Sequence, residues 1–251
     1  MRAMSGVVVV TGASRGIGAA VARLAGRRGY AVGVNYRSGA EEDEGVAANI
    51  RAAGSPAVTV AADVACEADV ERLFATVEAE LGPLTALVAN TGITGGMRRV
   101  EDLDGALVEQ VLAVNVTGCI LCAREAVRRF STRRGGTGGA IVTVSSIAST
   151  LGAAGEYVHY AASKGAVDSF TIGLAREVAG ESIRVNAVNP GLIKTGIHAV
   201  GGAPDRVERL AAKIPMGRGG EAAEVAEAVM WLLSDAASYV TGALVPVCGG
   251  R

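Results

Sequence analysis

The apolar pattern opens on an uninterrupted run, Val7 to Val10, with no polar residue alternating through it. A short β-branched run of this kind predicts a strand buried on both faces, as in the middle of a parallel sheet. A glycine-containing turn and an alanine-rich stretch with its charges on one face come next, and the theme of run, turn and amphipathic stretch then repeats. The pattern predicts strands near 6–11, 31–35, 57–61, 85–89, 139–145, 183–188 and 243–247, with helices near 16–28, 40–53, 67–81, 104–132, 157–179 and 221–234. Alternation of this kind implies an α/β protein, a doubly wound parallel sheet of about seven strands flanked by helices. Residues 195–220 break the rhythm with glycines, Pro204 and Pro215, and form a candidate substrate loop.

Composition narrows the function classes. The chain has 251 residues, half of them hydrophobic, with 25 acidic against 24 basic side chains. The core can be large, while the nearly balanced charge offers no attraction to nucleic acid or to an anionic membrane surface. The apolar run before Gly12 is too short for a signal core or a span, and the uncharged stretch 135–155 is too rich in Gly, Ser and Thr. A soluble cytoplasmic protein is expected. Cys66, Cys119, Cys122 and Cys248 form no secreted disulfide pattern, and Cys119 and Cys122 sit in a helical context that favours packing over redox chemistry. His159 and His198, far apart and without an acidic cluster, imply no metal site. His159 is expected to be partly exposed, and His198 to sit near substrate.

The first turn carries chemistry. Gly12, Gly16 and Gly18 lie between strand and helix, where glycine lets the backbone approach a pyrophosphate at a helix N-terminus. Their spacing is G-x-x-x-G-x-G, not the commoner G-x-G-x-x-G. Ser14, Arg15 and Ile17 belong to the same candidate cofactor site. At the end of the second strand, Tyr36 stands where an NAD site offers a carboxylate, with Arg37 and Ser38 after it. A missing acid beside an arginine favours the extra phosphate of NADP(H), with NAD(H) as the alternative, and Arg15 could add a second positive charge.

The stretch "EYVHYAASK" raises the question of a proton donor. On a helix, Tyr160 and Lys164 share a face, whereas Tyr157 is two turns from the lysine. A nearby ammonium stabilises a phenolate and so makes tyrosine usable as an acid/base near neutrality. Ser145 and Ser146 end the preceding strand, with Ser146 the candidate hydroxyl at the carboxyl edge of the sheet.

Taken together, "TGASRGIG", "ADV", "NVTG", the Ser146, Tyr160 and Lys164 set, "NPGLIKT" and "YVTG" resemble the classical short-chain dehydrogenase/reductases over essentially the whole chain. The resemblance implies a single Rossmann-type domain spanning 1–251, usually a homotetramer, with Asn115, Ser146, Tyr160 and Lys164 as a catalytic tetrad. It implies that Asp63 and Val64 contact adenine and that Asn90 and Gly92 line the adenosine-side ribose region. Lys164 would also reach the ribose, while Pro190, Gly191, Ile193 and Thr195 would hold the nicotinamide carboxamide. The expected substrate is a small carbonyl compound or its alcohol.

Three positions depart from the family pattern. Ala89 and Thr91 stand in "ANTG" where N-N-A-G is usual, the Ser146 to Tyr160 interval is one residue longer, and Cys248 replaces a common aspartate. Within the family, "VNYRSG", "AREVA" and "IPMGRGG" are similar to 3-oxoacyl-carrier-protein reductases and bacterial glucose dehydrogenases. Glu181 weakens the carrier-protein reading, since a basic residue is expected there, while Arg128, Arg129, Arg133 and Arg134 keep it open. A non-catalytic NADP(H) sensor is a further alternative, against which stand the four retained catalytic positions.

Overall fold

The computed structural model describes residues 6–37 and 40–251, so Ser38 lies outside the described residues. Strands and helices alternate from β1 (Gly6–Val10), α1 (Gly16–Arg27), β2 (Tyr30–Tyr36) and α2 (Ala40–Ala52) to β3 (Ala57–Ala61), α3 (Glu67–Leu81) and β4 (Leu84–Ala89). There follow α4 (Gly105–Leu112), a π turn (Ala113–Thr117), α5 (Gly118–Phe130), β5 (Gly139–Val144), α6 (Ala148–Leu151), α7 (Val158–Val178) and β6 (Ile183–Pro190). The chain continues through β7 (Ile193–Lys194), α8 (Ile197–Val200), α9 (Arg206–Leu210), β8 (Gly220–Glu221), α10 (Ala222–Leu233) and β9 (Leu244–Val247).

Seven strands pair in parallel in the order β3-β2-β1-β4-β5-β6-β9. The valine run explains why β1 is central. Val8 and Val10 point into a core built with α1, α2 and α10, whereas Val7 and Val9 point into the opposite core with α3, α5 and α7. Strand order reverses between β1 and β4, which opens a crevice at their carboxyl ends, the usual ligand position in such sheets.

Two departures from the expected elements bear on the site. The helix expected over 104–132 is divided by the π turn, because an inserted residue lets Asn115 face inward, where it is buried. The run Gly105–Phe130 is long and apolar enough to cross a membrane by length and composition, but Cys122, Ala126 and Phe130 are packed in the α3/α5/α7 core. The 195–220 excursion is also more ordered than a plain loop. Its base is closed by the β7/β8 pair, and Leu192, Leu210 and Ile214 form a small core of their own.

Candidate active site

The glycine turn is built from the ends of β1, β2 and β4. Gly12 and Gly16 have φ of +60° and +56°, a region costly for side-chain-bearing residues. A Cβ on Gly18 would collide with the Gly12 carbonyl and come within 2.5 Å of Asn90 Nδ2, so this position must be bare for α1 to lie against the turn. Asn90 donates from Nδ2 to the carbonyls of Thr11 (2.9 Å) and Gly12 (3.0 Å), and Thr11 Oγ1 accepts from the backbone N–H groups of Asn90 and Thr91. Buried Asn35 completes the frame: its Oδ1 accepts from Gly12 N at 3.3 Å, and its Nδ2 donates to carbonyls at the end of β3 and just beyond it.

From this turn a groove of about 710 Å³ runs past Tyr36, Arg37, Asp63 and Val64 to Thr195. Ser14, Arg15 and Ile17 also line it, and Arg15 and Arg37 are exposed, with no acidic partner among the described residues. Asn90 and Gly92 lie where the groove meets a second pocket. A Cβ on Gly92 would stand 3.3 Å from Lys164 Nζ and 3.4 Å from Asn115 Oδ1, which puts this glycine beside the candidate catalytic groups.

Those groups converge from three elements. Tyr160 and Lys164 rise from α7, Ser146 follows β5, and Asn115 comes from the π turn. Burial pushes the Tyr160 phenol above its ordinary pKa, and the neighbouring Ser146 hydroxyl acts in the opposite direction. Lys164 is almost wholly enclosed, with Nζ donating to the Val144 carbonyl at 2.8 Å and standing 5.7 Å from the centre of the Tyr160 ring. Burial lowers its pKa to about 8, with Cys119 and Asp168 acting in the opposite direction. Asn115 spans two neighbours: it exchanges bonds with the backbone of Ile93 (2.8 and 2.9 Å) and donates to Ser163 Oγ at 3.0 Å, which donates to the Tyr160 carbonyl.

The second pocket, about 170 Å³, lies over Ser146 and Tyr160, and Pro190, Gly191, Ile193 and Thr195 line it. His198 lines it too, with Nε2 at 3.0 Å from the Ile193 carbonyl and its pKa lowered, mainly by burial. His159, expected to be partly exposed, is buried, because Nε2 is engaged with the Thr94 carbonyl at 2.8 Å and closes the 93–96 loop onto α7. Cys119 and Cys122 are free and buried, and burial pushes the Cys119 thiol up to about 11. Cys248 packs under Gly191, where an added Cβ would come within 2.8 Å of its Cα.

Several contributors are absent from the sequence reading. Thr11 and Asn35 frame the turn. Asn189 Nδ2 is within 3.1 Å of the buried Asp168 carboxylate and 3.3 Å of the Ser146 carbonyl, which steadies the serine from beneath. Arg206 and Glu156 pair in the second pocket across 50 positions, a relation no local pattern signals. The arginine cluster also differs in character from its sequence appearance. Arg128 and Arg129 bind buried Glu125 at 2.7 and 2.6 Å, while Arg133 pairs with Glu181 at 3.3 Å. The i,i+3 and i,i+4 spacing of Glu125 was the available signal.

This geometry has close counterparts among known proteins. Residues 12–251 match a family model described as enoyl-(acyl carrier protein) reductase. The chain is 51% identical to the uncharacterized oxidoreductase YgfF of Escherichia coli K12, over 98% of this chain and 99% of that one. It is 43% identical to the cis-4-hydroxycyclohexanecarboxylate dehydrogenase of Sinomonas cyclohexanicum, over 97% and 95% of the two chains. A short-chain type dehydrogenase/reductase from Mycobacterium marinum superposes with a TM-score of 0.92 at 32% identity, covering 98% of this chain and 95% of that one. The chain belongs to the short-chain dehydrogenase/reductase family and is an oxidoreductase of alcohol and ketone groups.

The family uses nicotinamide dinucleotides, and the residues here fit one. No side chain caps the N-terminus of α1 and no acid occupies its first turn, so its backbone donors are available to a pyrophosphate. Thr91 Oγ1, on the groove wall, is buried without a hydrogen-bond partner in the chain.

Proposed function

We propose that this chain is an NADP-preferring enzyme that interconverts a small ketone and its secondary alcohol, with Asn115, Ser146, Tyr160 and Lys164 as its catalytic set. In this reading residues 1–251 act as one dinucleotide-binding domain, residues 195–220 form the substrate loop, and the active form is a cytoplasmic homotetramer. The observation that carries the proposal is that Tyr160 and Ser146 line one pocket, which shares Asn90, Gly92 and Thr195 with the cofactor groove.

The bound nicotinamide supplies or accepts the hydride at the carbinol carbon. The chain manages the oxygen. Ser146 donates to the substrate oxygen and holds it beside the Tyr160 hydroxyl, which passes it a proton. Lys164, positively charged below about pH 8, lies over the tyrosine ring and favours the phenolate left behind. Asn115 holds the 93–96 loop and, through Ser163, the backbone of Tyr160 itself.

Arg15 and Arg37 support NADP: two exposed guanidiniums line the groove where a carboxylate would select NAD. The pocket supports a small substrate, since a cavity of about 150 Å³ accepts a ring the size of benzene and this one is about 170 Å³. A second reading, reduction of a 3-oxoacyl thioester, is favoured by 34% identity to the 3-oxoacyl-[acyl-carrier-protein] reductase FabG of Staphylococcus aureus Mu50, over 98% of each chain. Neutralisation of Arg128, Arg129 and Arg133 by their acidic partners argues against an acidic carrier docking there.

The test is NADPH consumption with cyclohexanone-type ketones and with an acetoacetyl thioester, by wild type and Tyr160→Phe. Turnover that vanishes in the variant while NADPH still binds supports the proposal. Binding of NADPH with no turnover of any ketone or thioester would replace it with a sensor.

A further inference from the structure

The substrate pocket contains a charge that the reaction chemistry does not use. Arg206, in α9, is 8% exposed at its side chain and lines the pocket together with Glu156, Tyr157 and Arg251. Its Nη2 pairs with Glu156 Oε2 at 2.5 Å, and its guanidinium lies 5.1 Å from the centre of the Tyr157 ring. Nη1 is buried and has no hydrogen-bond partner.

A buried, permanently charged donor without an acceptor is costly, and native interiors rarely leave one unfilled. The local balance also leaves room for an anion. Two arginines, Arg206 and Arg251, line the pocket with one glutamate, and Arg206, Arg209 and Arg251 all act to hold the Glu156 carboxyl below its usual range. Tyr157 adds its ring to the pocket wall beside Arg206, with its hydroxyl donating to the Gly201 carbonyl at 3.4 Å. The pocket wall therefore combines the Ser146 and Tyr160 hydroxyls, an aromatic ring and a guanidinium with an unpartnered donor.

We propose that the part of the pocket lined by Arg206 is a carboxylate subsite anchored by its guanidinium, and that the substrate is a small keto acid or hydroxy acid whose carboxylate lies remote from the reacting carbon. The inference rests on the proposed ketone reductase activity and names the substrate class of that site. Glu156 orients the guanidinium through Nη2 and leaves Nη1 without a partner in the chain. The pairing also ties α9 to the turn before α7, so the subsite is complete only when the 195–220 segment is docked.

The experiment compares kcat/KM with NADPH for 4-oxopentanoate, 5-oxohexanoate and 6-oxoheptanoate against the methyl ester of each. Wild type is expected to prefer the best acid over its ester by roughly 10- to 100-fold, the value of a charge-assisted bond to a buried cation. Arg206→Met should collapse that ratio toward one, chiefly through KM, whereas Glu156→Gln, which leaves the cation unopposed, should keep or raise it. Equal use of acid and ester by wild type would overturn the subsite. So would a ratio unchanged in Arg206→Met, with both rates falling together, since Arg206 would then be only a clasp. Binding of hexanoate and hexanamide in the presence of NADP, read by calorimetry, tests the subsite apart from turnover. Preference for hexanoate that is lost in Arg206→Met supports the subsite even if no ketone is reduced, and equal binding of the two overturns it.

Discussion

Lys164 should make the folded protein less stable, and removing it should show this. The residue is 3% exposed, and its pKa falls from 10.5 to about 8 because burial disfavours the charged form. That difference corresponds to about 3 kcal/mol of cost at pH 7, where the group is charged in both the folded and the unfolded chain. Lys164→Met removes the charge and fills similar space, but it also breaks the 2.8 Å bond to the Val144 carbonyl, a loss of about 1 kcal/mol. The variant is thus expected to be more stable than wild type by about 2 kcal/mol at pH 7, or roughly 4 to 8 °C in Tm for a chain of this size.

The pH dependence has a definite sign. Between about pH 8 and 10.5 the unfolded lysine still holds its proton while the folded one has released it, so wild-type stability rises with pH across that window. The variant lacks this rise, and the two proteins should converge near pH 10. Urea denaturation of both proteins at intervals from pH 7 to 10 measures the gap. A variant less stable than wild type at pH 7, or a gap that stays constant to pH 10, would refute the burial argument. Loss of turnover in the same variant would place this site among those where stability is given up for function.

Three further outcomes are expected. Tyr160→Phe should lower kcat by about 10²- to 10⁴-fold, the usual range for a positioned general acid, while NADPH affinity measured by fluorescence titration changes little. Arg37→Ala should weaken NADPH binding by roughly 10- to 100-fold with little effect on NADH, and equal losses for both would reject the NADP preference. Gly18→Ala should disrupt cofactor binding, because its Cβ would press on the Gly12 carbonyl and on Asn90 Nδ2. A variant that bound NADPH normally in calorimetry would show that the turn relaxes freely.

What the sequence determined by itself was whatever depends on neighbours along the chain. The Val7 to Val10 run, the glycines between a strand and a helix, and the four-residue spacing of Tyr160 and Lys164 are local patterns, and the strand and helix periods convert them directly into position. The strands and the main helices consequently lie within a few residues of where periodicity puts them. The π turn escaped notice because apolar spacing continues across 104–132 whether or not one residue is inserted, and only packing against the Ile93 backbone and Ser163 turns Asn115 inward. Tertiary structure alone decided the rest. Asn35 and Asn90 hold the glycine turn from strands 23 and 78 positions away, and Arg206 meets Glu156 across 50. Such partners are brought together by the folded sheet and the docked loop, and a side chain's charge, burial and free donors acquire meaning only once those partners are in place.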